Sequence, residues 1–296
     1  MERNKNILDT LDISDTFLVN SAVKTANIQQ RNNYYSFSMH VHNDIEIYFI
    51  MNGHCQMEIG NQMIHCIPGD FVIILPNIPH SFSLCAEEEC VFQHIHFRPY
   101  LFSQLKVKGE QNSTITLLNA LEFSTHYGRR SYHFEADSLL QEYVKKIIAE
   151  TETLSPFSAG LINLYLTELL LHILKIQDIE LSDYSPRHEV QNSYVNFTLH
   201  YIRDHYDGKI LIENIASQLK ISSGYLRKAF SNNMHINISS YIQIFRMNKA
   251  AELLLNTSMS LTDIAIAVGV NDAQYFSKLF RQIIGISPLK YRKLTK

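Results

Sequence analysis

The chain has 296 residues, a formal net charge of −3, and 46% apolar against 19% charged residues, the make-up of a folded protein with about two domains. Its N-terminus, Met1-Glu2-Arg3-Asn4-Lys5-Asn6, leads into no apolar run of the signal-peptide kind. The most apolar stretch, Leu161–Ile176, is short for a bilayer span and holds Asn163, Glu168 and His172, so a cytoplasmic chain without a membrane partner is expected.

Residues of about 30–97 form short alternating or apolar runs between turns. The runs are Tyr35–His40, Ile45–Ile50, Gln56–Ile59, Met63–Ile67, Phe71–Leu75 and Val91–Phe97. Asn52-Gly53, Gly60-Asn61, Pro68-Gly69-Asp70, Pro76 and Pro79 separate them. Many short strands at this spacing predict a small antiparallel barrel or jelly roll over residues 1–134. His40, His42 and Glu46 sit at even offsets, so one pleated strand would place all three on one face, unless a turn at Asn43-Asp44 upsets the parity. His80 follows a later proline break, and His94 and His96 share a parity that can also point inward.

Two histidines, a glutamate and a further histidine can hold a divalent metal with open positions, the arrangement of a metal-dependent enzyme. The same side chains can instead line a pocket and hydrogen-bond a small molecule, or be core histidines paired with backbone. Cys55, Cys66, Cys85 and Cys90 contain no CxxC pair, and a reducing compartment predicts buried thiols. A redox or thiolate-metal role would fall first on Cys85 and Cys90, which flank Glu87-Glu88-Glu89.

Residues 135–177 turn helical. Leu139-Leu140, Tyr143-Val144 and Ile147-Ile148 recur at helical spacing, and Ser155-Pro156 breaks the pattern. The next helix, from Leu161 to Leu174, is apolar nearly all round, which predicts burial on more than one side: packing on the barrel and on a second copy at once, with Leu170 in a homodimer contact, or a monomer whose helices cover the sheet. Residues 178–191 are polar, contain Ser185-Pro186, and are expected to be a linker.

The last segment, 192–296, carries one pattern twice. Ile215-Ala216, Ile221, Tyr225-Leu226 and Phe230 correspond to Ile264-Ala265, Val270, Tyr275-Phe276 and Phe280. Each copy reads as a helix, a tight turn and a second helix whose outer face is free for base edges, so one chain can enter two major-groove segments of duplex DNA. Gly269 ends the first helix of the second copy in a left-handed turn, with Asn271 as the expected N-cap of the next helix and Asp272 in its first turn. Lys220 stands in the place of Gly269 in the first copy, and Ser222 offers its cap. With Tyr225, Leu226, Ala229 and Phe230 inward, Ser223, Gly224, Arg227 and Lys228 face out. With Tyr275, Phe276, Leu279 and Phe280 inward, Ala273, Gln274, Ser277, Lys278 and Arg281 face out. Gln suits adenine, Arg and Lys suit guanine or phosphate, and an Ala methyl suits thymine. From Arg187 to Lys296, 14 Lys/Arg against 7 Asp/Glu give +7, so the first 186 residues carry −10. The basic half attracts DNA and the acidic half repels it.

Over about residues 193–293 the chain resembles the DNA-binding domain of the AraC/XylS family of bacterial transcription regulators. The stretch with Ile264-Ala265, Gly269, Tyr275-Phe276, Phe280-Arg281, Gly285-Ile286-Ser287-Pro288 and Tyr291-Arg292 carries the likeness. His40, His42, Glu46 and Gly53 resemble the first cupin motif, and Pro68-Gly69-Asp70 with Pro76 and Pro79-His80 the second. The resemblance implies a cupin-like effector-sensing barrel, a helical dimerisation segment, and an all-α domain of two helix-turn-helix units joined by a helix at about Ile238–Asn256. It implies base-reading roles for Gly224, Arg227 and Lys228 and for Ala273, Gln274, Ser277 and Lys278. Gly224 has no side chain to read a base, which turns the first unit toward phosphate. The implied function is activation of catabolic genes. Its expected partners are duplex DNA, RNA polymerase and a small effector such as a sugar; no cofactor is required. The competing class is a metal-dependent cupin enzyme with an accessory DNA-binding domain, its ion on His40, His42, Glu46 and His80.

Overall fold

The computed structural model describes residues 17–84, 88–102, 105–108, 114–125, 131–176 and 186–293. Chain order gives β1 (Val23–Asn32), β2 (Ser36–His40), β3 (Ile45–Gly53), β4 (Cys55–Ile59), β5 (Gln62–Cys66), β6 (Asp70–Ile74), β7 (His80–Ser83) and β8 (Glu89–Phe97). Then come β9 (Lys106–Lys108), β10 (Thr114–Thr116), α1 (Leu117–Thr125), β11 (Ser131–Glu135), α2 (Ser138–Thr153) and α3 (Ser158–Ile176). The remainder is helical: α4 (Pro186–His205), α5 (Ile212–Gln218), α6 (Ser223–Met234), α7 (Ile238–Asn256), α8 (Leu261–Ala267), α9 (Ala273–Ile284) and α10 (Pro288–Lys293).

The strands make two antiparallel sheets, ordered β1-β8-β3-β6-β11 and β2-β7-β4-β5, with a separate β9–β10 pair. This is the expected β-rich first half followed by an all-helical second half. In β4 the alternation Cys55, Met57, Ile59 is buried and the residues between face out, as in a half-covered strand. Every residue of β6 and the first six of β3 are buried, as in strands covered on both faces, while α2 packs on β1 and β8 of the same sheet.

By length and composition α3 would reach across a bilayer, more than its sequence predicted. In the fold it is a core helix. Ile162, Leu166, Leu169, Leu170 and Ile173 are buried, and the wholly buried Asn163 holds the segment before β1. Its Nδ2 donates to Phe17 O (2.6 Å) and Asn20 O (2.8 Å), and Ala22 N donates to its Oδ1 (2.9 Å). Leu170 is therefore core of its own chain, not an outer contact. The large apolar groups exposed on α3 are Leu164, Leu171 and the terminal Ile176, of which Leu164 and Leu171, seven residues apart, lie on one stripe.

The stretch expected as a linker, 178–191, is helical from Pro186; residues 177–185 lie outside the described residues. Proline at the first position of α4 has the dihedral a helix start needs and lacks only an N–H that would be orphaned there. Val195, Thr198, Leu199 and Ile202 then give α4 a buried stripe at helical spacing.

The α7 span matches the expected joining helix, and it serves two cores. Tyr241, Ile242 and Ile244 join Phe230 and Leu226 in a cluster continuous with the barrel, whereas Met247, Ala250, Ala251 and Leu254 join Phe276 and Phe280 in a second cluster. The two halves of the chain also touch directly at β2. Asn248 of α7 accepts from Val41 N (2.8 Å) and donates to Met39 O (3.3 Å), and Ser38 Oγ donates to Ile284 O of α9 (2.5 Å).

Candidate DNA interface and effector pocket

In the first helix-turn-helix unit, α5 ends in a turn with Lys220 at φ 55°, the left-handed region expected for Gly269, which has φ 74° in the second unit. Ser222 caps α6, its Oγ accepting from Tyr225 N at 3.1 Å. In the second unit the cap is Asp272, not the expected Asn271. Asp272 Oδ1 accepts from Gln274 N (2.8 Å) and Tyr275 N (2.9 Å), so the helix starts at Ala273, one residue later than an Asn271 cap would allow.

Leu226, Ala229 and Phe230 are buried, as are Phe276, Leu279 and Phe280. Tyr225 and Tyr275, expected inside, stand out at 39% and 48% exposure. Each belongs to the first turn of its helix; the Tyr225 ring meets Tyr194 edge-on, and Tyr275 Oη accepts from Gln243 Nε2 at 3.2 Å. Gly224, Arg227, Lys228, Gln274, Lys278 and Arg281 are exposed, and Ser223, Ala273 and Ser277 half-buried. Arg227 is paired with Glu213 across the unit at 3.1 Å, an exposed contact that DNA can displace. The Ser277 hydroxyl donates back to Ala273 O at 3.0 Å. Beyond these faces, α10 adds Lys290, Arg292 and Lys293, with Arg292 anchored on Met259 O at 2.6 Å.

In the barrel half, the two sheets, not a single pleated strand, bring the polar residues together. His40 ends β2 and lies opposite His80 of β7 in one sheet; Glu46 and Tyr48 of β3 lie opposite His96 and His94 of β8 in the other. His42 projects from the turn between β2 and β3, the turn that broke the parity. The result is a cavity of ≈ 370 Å³ lined by Gln29, Arg31, Tyr35, Phe37, His40, His42, Glu46, Tyr48, Phe82, Phe92, His94 and His96. Tyr48, Phe82 and Phe92 form its apolar wall, with ring centroids 5.0–6.1 Å apart. Tyr48 was legible as the next same-face position after Glu46. Gln29 and Arg31 were not, since β1 carries no chemical pattern of its own.

Glu46 is the centre of the polar side. It accepts from Tyr48 Oη (2.7 Å) and lies within hydrogen-bond reach of His42 Nε2 (3.1 Å) and His80 Nε2 (3.2 Å). Burial alone would push its carboxyl up, but the contacts with His42 and His80 outweigh that and hold it well below the usual range. Burial lowers His40 to about 3, helped by the neighbouring His80, so its ring is neutral. Burial likewise lowers His96, whose Nε2 lies 2.9 Å from Asp44 Oδ2; Asp44 also pairs with Lys24. The Nδ1 atoms of His40 and His80 face the carbonyls of Ser38 (3.0 Å) and Ile78 (2.8 Å), which fixes N–H on that side and turns each Nε2 inward. For His80 the second nitrogen also meets an acceptor, Glu46, so that contact calls for a positive centre: a second ring proton or a bound cation. One ligating atom each of His40, His42, Glu46 and His80 lies within 4.8 Å of the others.

Cys55, Cys66 and Cys90 are free and buried, as expected. Cys85, half of the expected reactive pair, lies outside the described residues.

Residues 25–170 match the model of the AraC-like ligand binding domain, and residues 215–294 match a helix-turn-helix domain model. The Msm operon regulatory protein of Streptococcus mutans is 27% identical over 88% of this chain and 87% of its own length. The melibiose operon regulatory protein of Escherichia coli is 32% identical over 35% of this chain and 34% of its own. Among solved structures, an apo single-residue variant of ToxT from Vibrio cholerae, at 11% identity, shares the fold with a TM-score of 0.64 over 94% of this chain and 99% of its own. A ligand-binding β domain followed by a double helix-turn-helix domain, each matched in place, makes this chain a member of the AraC family of transcription regulators.

Proposed function

We propose that this regulator is an effector-responsive activator of catabolic genes, with a carbohydrate as effector, acting in the cytoplasm as a homodimer that engages RNA polymerase at its promoters. The observation that carries the effector response is strand β2. It supplies His40 to the pocket, and its backbone on either side of His40, at Met39 and Val41, is held by Asn248 of the helix that joins the two DNA-binding units. An effector that moves His40 therefore acts on α7, provided that it binds the two arrangements unequally.

Carbohydrate suits a cavity with an aromatic wall for C–H faces and a carboxylate with imidazoles for hydroxyls, and the melibiose operon relative points the same way. The double contact of His80 favours a divalent ion beside it. The ion would sit on His40, His42, Glu46 and His80, where carbonyl-anchored Nδ1 atoms already orient two imidazoles as metal ligands are oriented. When bound it would supply a Lewis-acidic anchor for sugar hydroxyls. We take the pocket as a receptor and not a catalytic centre, because the relatives it matches are regulators.

A panel of mono- and disaccharides, with and without added divalent metal, tests this by thermal melting and DNA-binding titration of the full chain. One sugar is expected to raise the melting temperature and change DNA affinity, and Asn248→Ala should keep the melting shift and lose the DNA response. Intact DNA binding with no melting shift from any sugar would refute the carbohydrate reading. The homodimer rests on the exposed stripe of α3: Leu171→Asp is expected to give monomer in sedimentation, and an unchanged dimer would remove α3 from the interface.

A further inference from the structure

The two sheets of the barrel end, on one side, in β11 and β5, and among the described residues no backbone ladder joins these two strands. Three donor side chains converge at this open side. Cys66 is the last residue of β5, Asp70 the first of β6, and only Ile67-Pro68-Gly69 separates them. On β11, Glu135 lies opposite Asp70, so His133, two residues earlier, shares a face with Asp70. One ligating atom each of Cys66, Asp70 and His133 lies within 4.8 Å of the other two.

As they stand, the Cys66 thiol meets that of Cys55 across the β4–β5 pair, and the poorly served group is His133. His133 Nε2 is buried and lies 2.8 Å from Asp70 Oδ2, yet it makes no hydrogen bond of acceptable geometry. A buried nitrogen this close to a carboxylate yet misaligned for a hydrogen bond is a contact that a cation bound to both would satisfy. Asp70 is already oriented from behind, its Oδ2 accepting from Ile67 N at 2.8 Å, the kind of outer support that ligating carboxylates have.

We propose that Cys66, Asp70 and His133 form a zinc-type metal site that ties β5 to β6 and β11. A thiolate, a carboxylate and a neutral imidazole together offset a divalent charge, and the Cys66 thiol proton leaves to solvent on binding. The sulfur ligand selects zinc or a similar borderline ion over magnesium or calcium, which take oxygen donors. In a tetrahedral site the donors stand roughly 3.3–3.6 Å apart, so Asp70 and His133 part slightly and Cys66 closes in. The His133 side chain is 32% exposed, which leaves the fourth position to water and gives the ion a way in. The site is separate from the histidine-lined pocket, which contains no sulfur, and it stands or falls independently of the effector reading.

Cobalt(II) binding to the metal-free full chain distinguishes the two sites. The expected result is one equivalent of cobalt with a thiolate-to-metal charge-transfer band, counted apart from any cobalt that the histidine pocket takes up without such a band, together with a zinc-dependent rise in melting temperature and loss of the band in Cys66→Ser. His133→Gln, at a partly exposed position that leaves the core intact, should weaken binding about tenfold or more without changing the melting temperature of the metal-free protein. Cobalt bound with no thiolate band would place the ion in the histidine pocket and overturn the proposal. A thiolate band that survives Cys66→Ser, pointing to Cys55, Cys85 or Cys90, would overturn it as well.

Discussion

The two helix-turn-helix units follow one plan and differ at the turn. Both turns are left-handed, with Lys220 in one and Gly269 in the other. A side chain on Gly269 would put its Cβ 2.6 Å from Tyr206 O and 2.8 Å from Arg246 Nη2. Lys220 is exposed and meets no such obstruction. The left-handed turn itself thus tolerates a side chain at about 1–2 kcal/mol, and glycine is demanded only where the second unit sits against the loop after α4. Gly269→Ala is therefore expected to destabilise by about 3 kcal/mol or more, whereas Lys220→Gly should stay within about 1 kcal/mol of the parent. Urea unfolding measures both, and similar losses would mean that the turn, not the close approach, sets the requirement.

The units differ again on the face offered to DNA. Gly224 and Gln274 occupy matching positions, one without a side chain and one with an adenine-type amide. Gln274→Ala is expected to remove about 1–3 kcal/mol of discrimination at one base pair. Arg227→Ala and Lys228→Ala should weaken binding evenly across sequences and each lower the salt slope by about one. Competition titrations over a set of site variants, repeated in a salt series, separate these patterns. Base preference lost as fully in Arg227→Ala as in Gln274→Ala would give both units the same reading role.

Much of this second half was legible because helical periodicity and turn chemistry are local signals. The spacing of Leu226, Ala229 and Phe230, and of Phe276, Leu279 and Phe280, marked the buried stripes, and Gly269 marked its own turn. Tyr225 and Tyr275 escaped because they adjoin a buried residue in sequence, while a helix turns neighbours by about 100°. The barrel site was legible in its residues and not in its assembly. His40, His42 and Glu46 do share a pocket, but across the gap between two sheets, and sheet pairing is non-local. For the same reason nothing in the spacing joined His133 to Cys66, 67 positions apart. Leu170 went inward because an all-round apolar helix does not reveal which side its own chain will cover.

The smallest contrast between the units lies at the caps of their recognition helices. Ser222 accepts one backbone N–H, at 3.1 Å, while Asp272 accepts two, at 2.8 and 2.9 Å, with a carboxylate at the positive end of the helix. Removing the serine hydroxyl should cost about 0.5–1 kcal/mol and removing the aspartate about 1–2 kcal/mol. Asp272→Ala should thus lower the melting temperature more than Ser222→Ala, and hydrogen exchange should quicken at Gln274 and Tyr275, the two amides it holds. The order would matter for the base-reading role that the AraC resemblance implies for Gln274, because Gln274 sits in the turn that Asp272 fixes. A reader of one base pair needs a defined backbone, whereas a phosphate contact from Arg227 or Lys228 is long enough to adjust. Equal losses at the two caps would show that the second unit gains its rigidity from packing against Tyr206 and α7 rather than from its first turn.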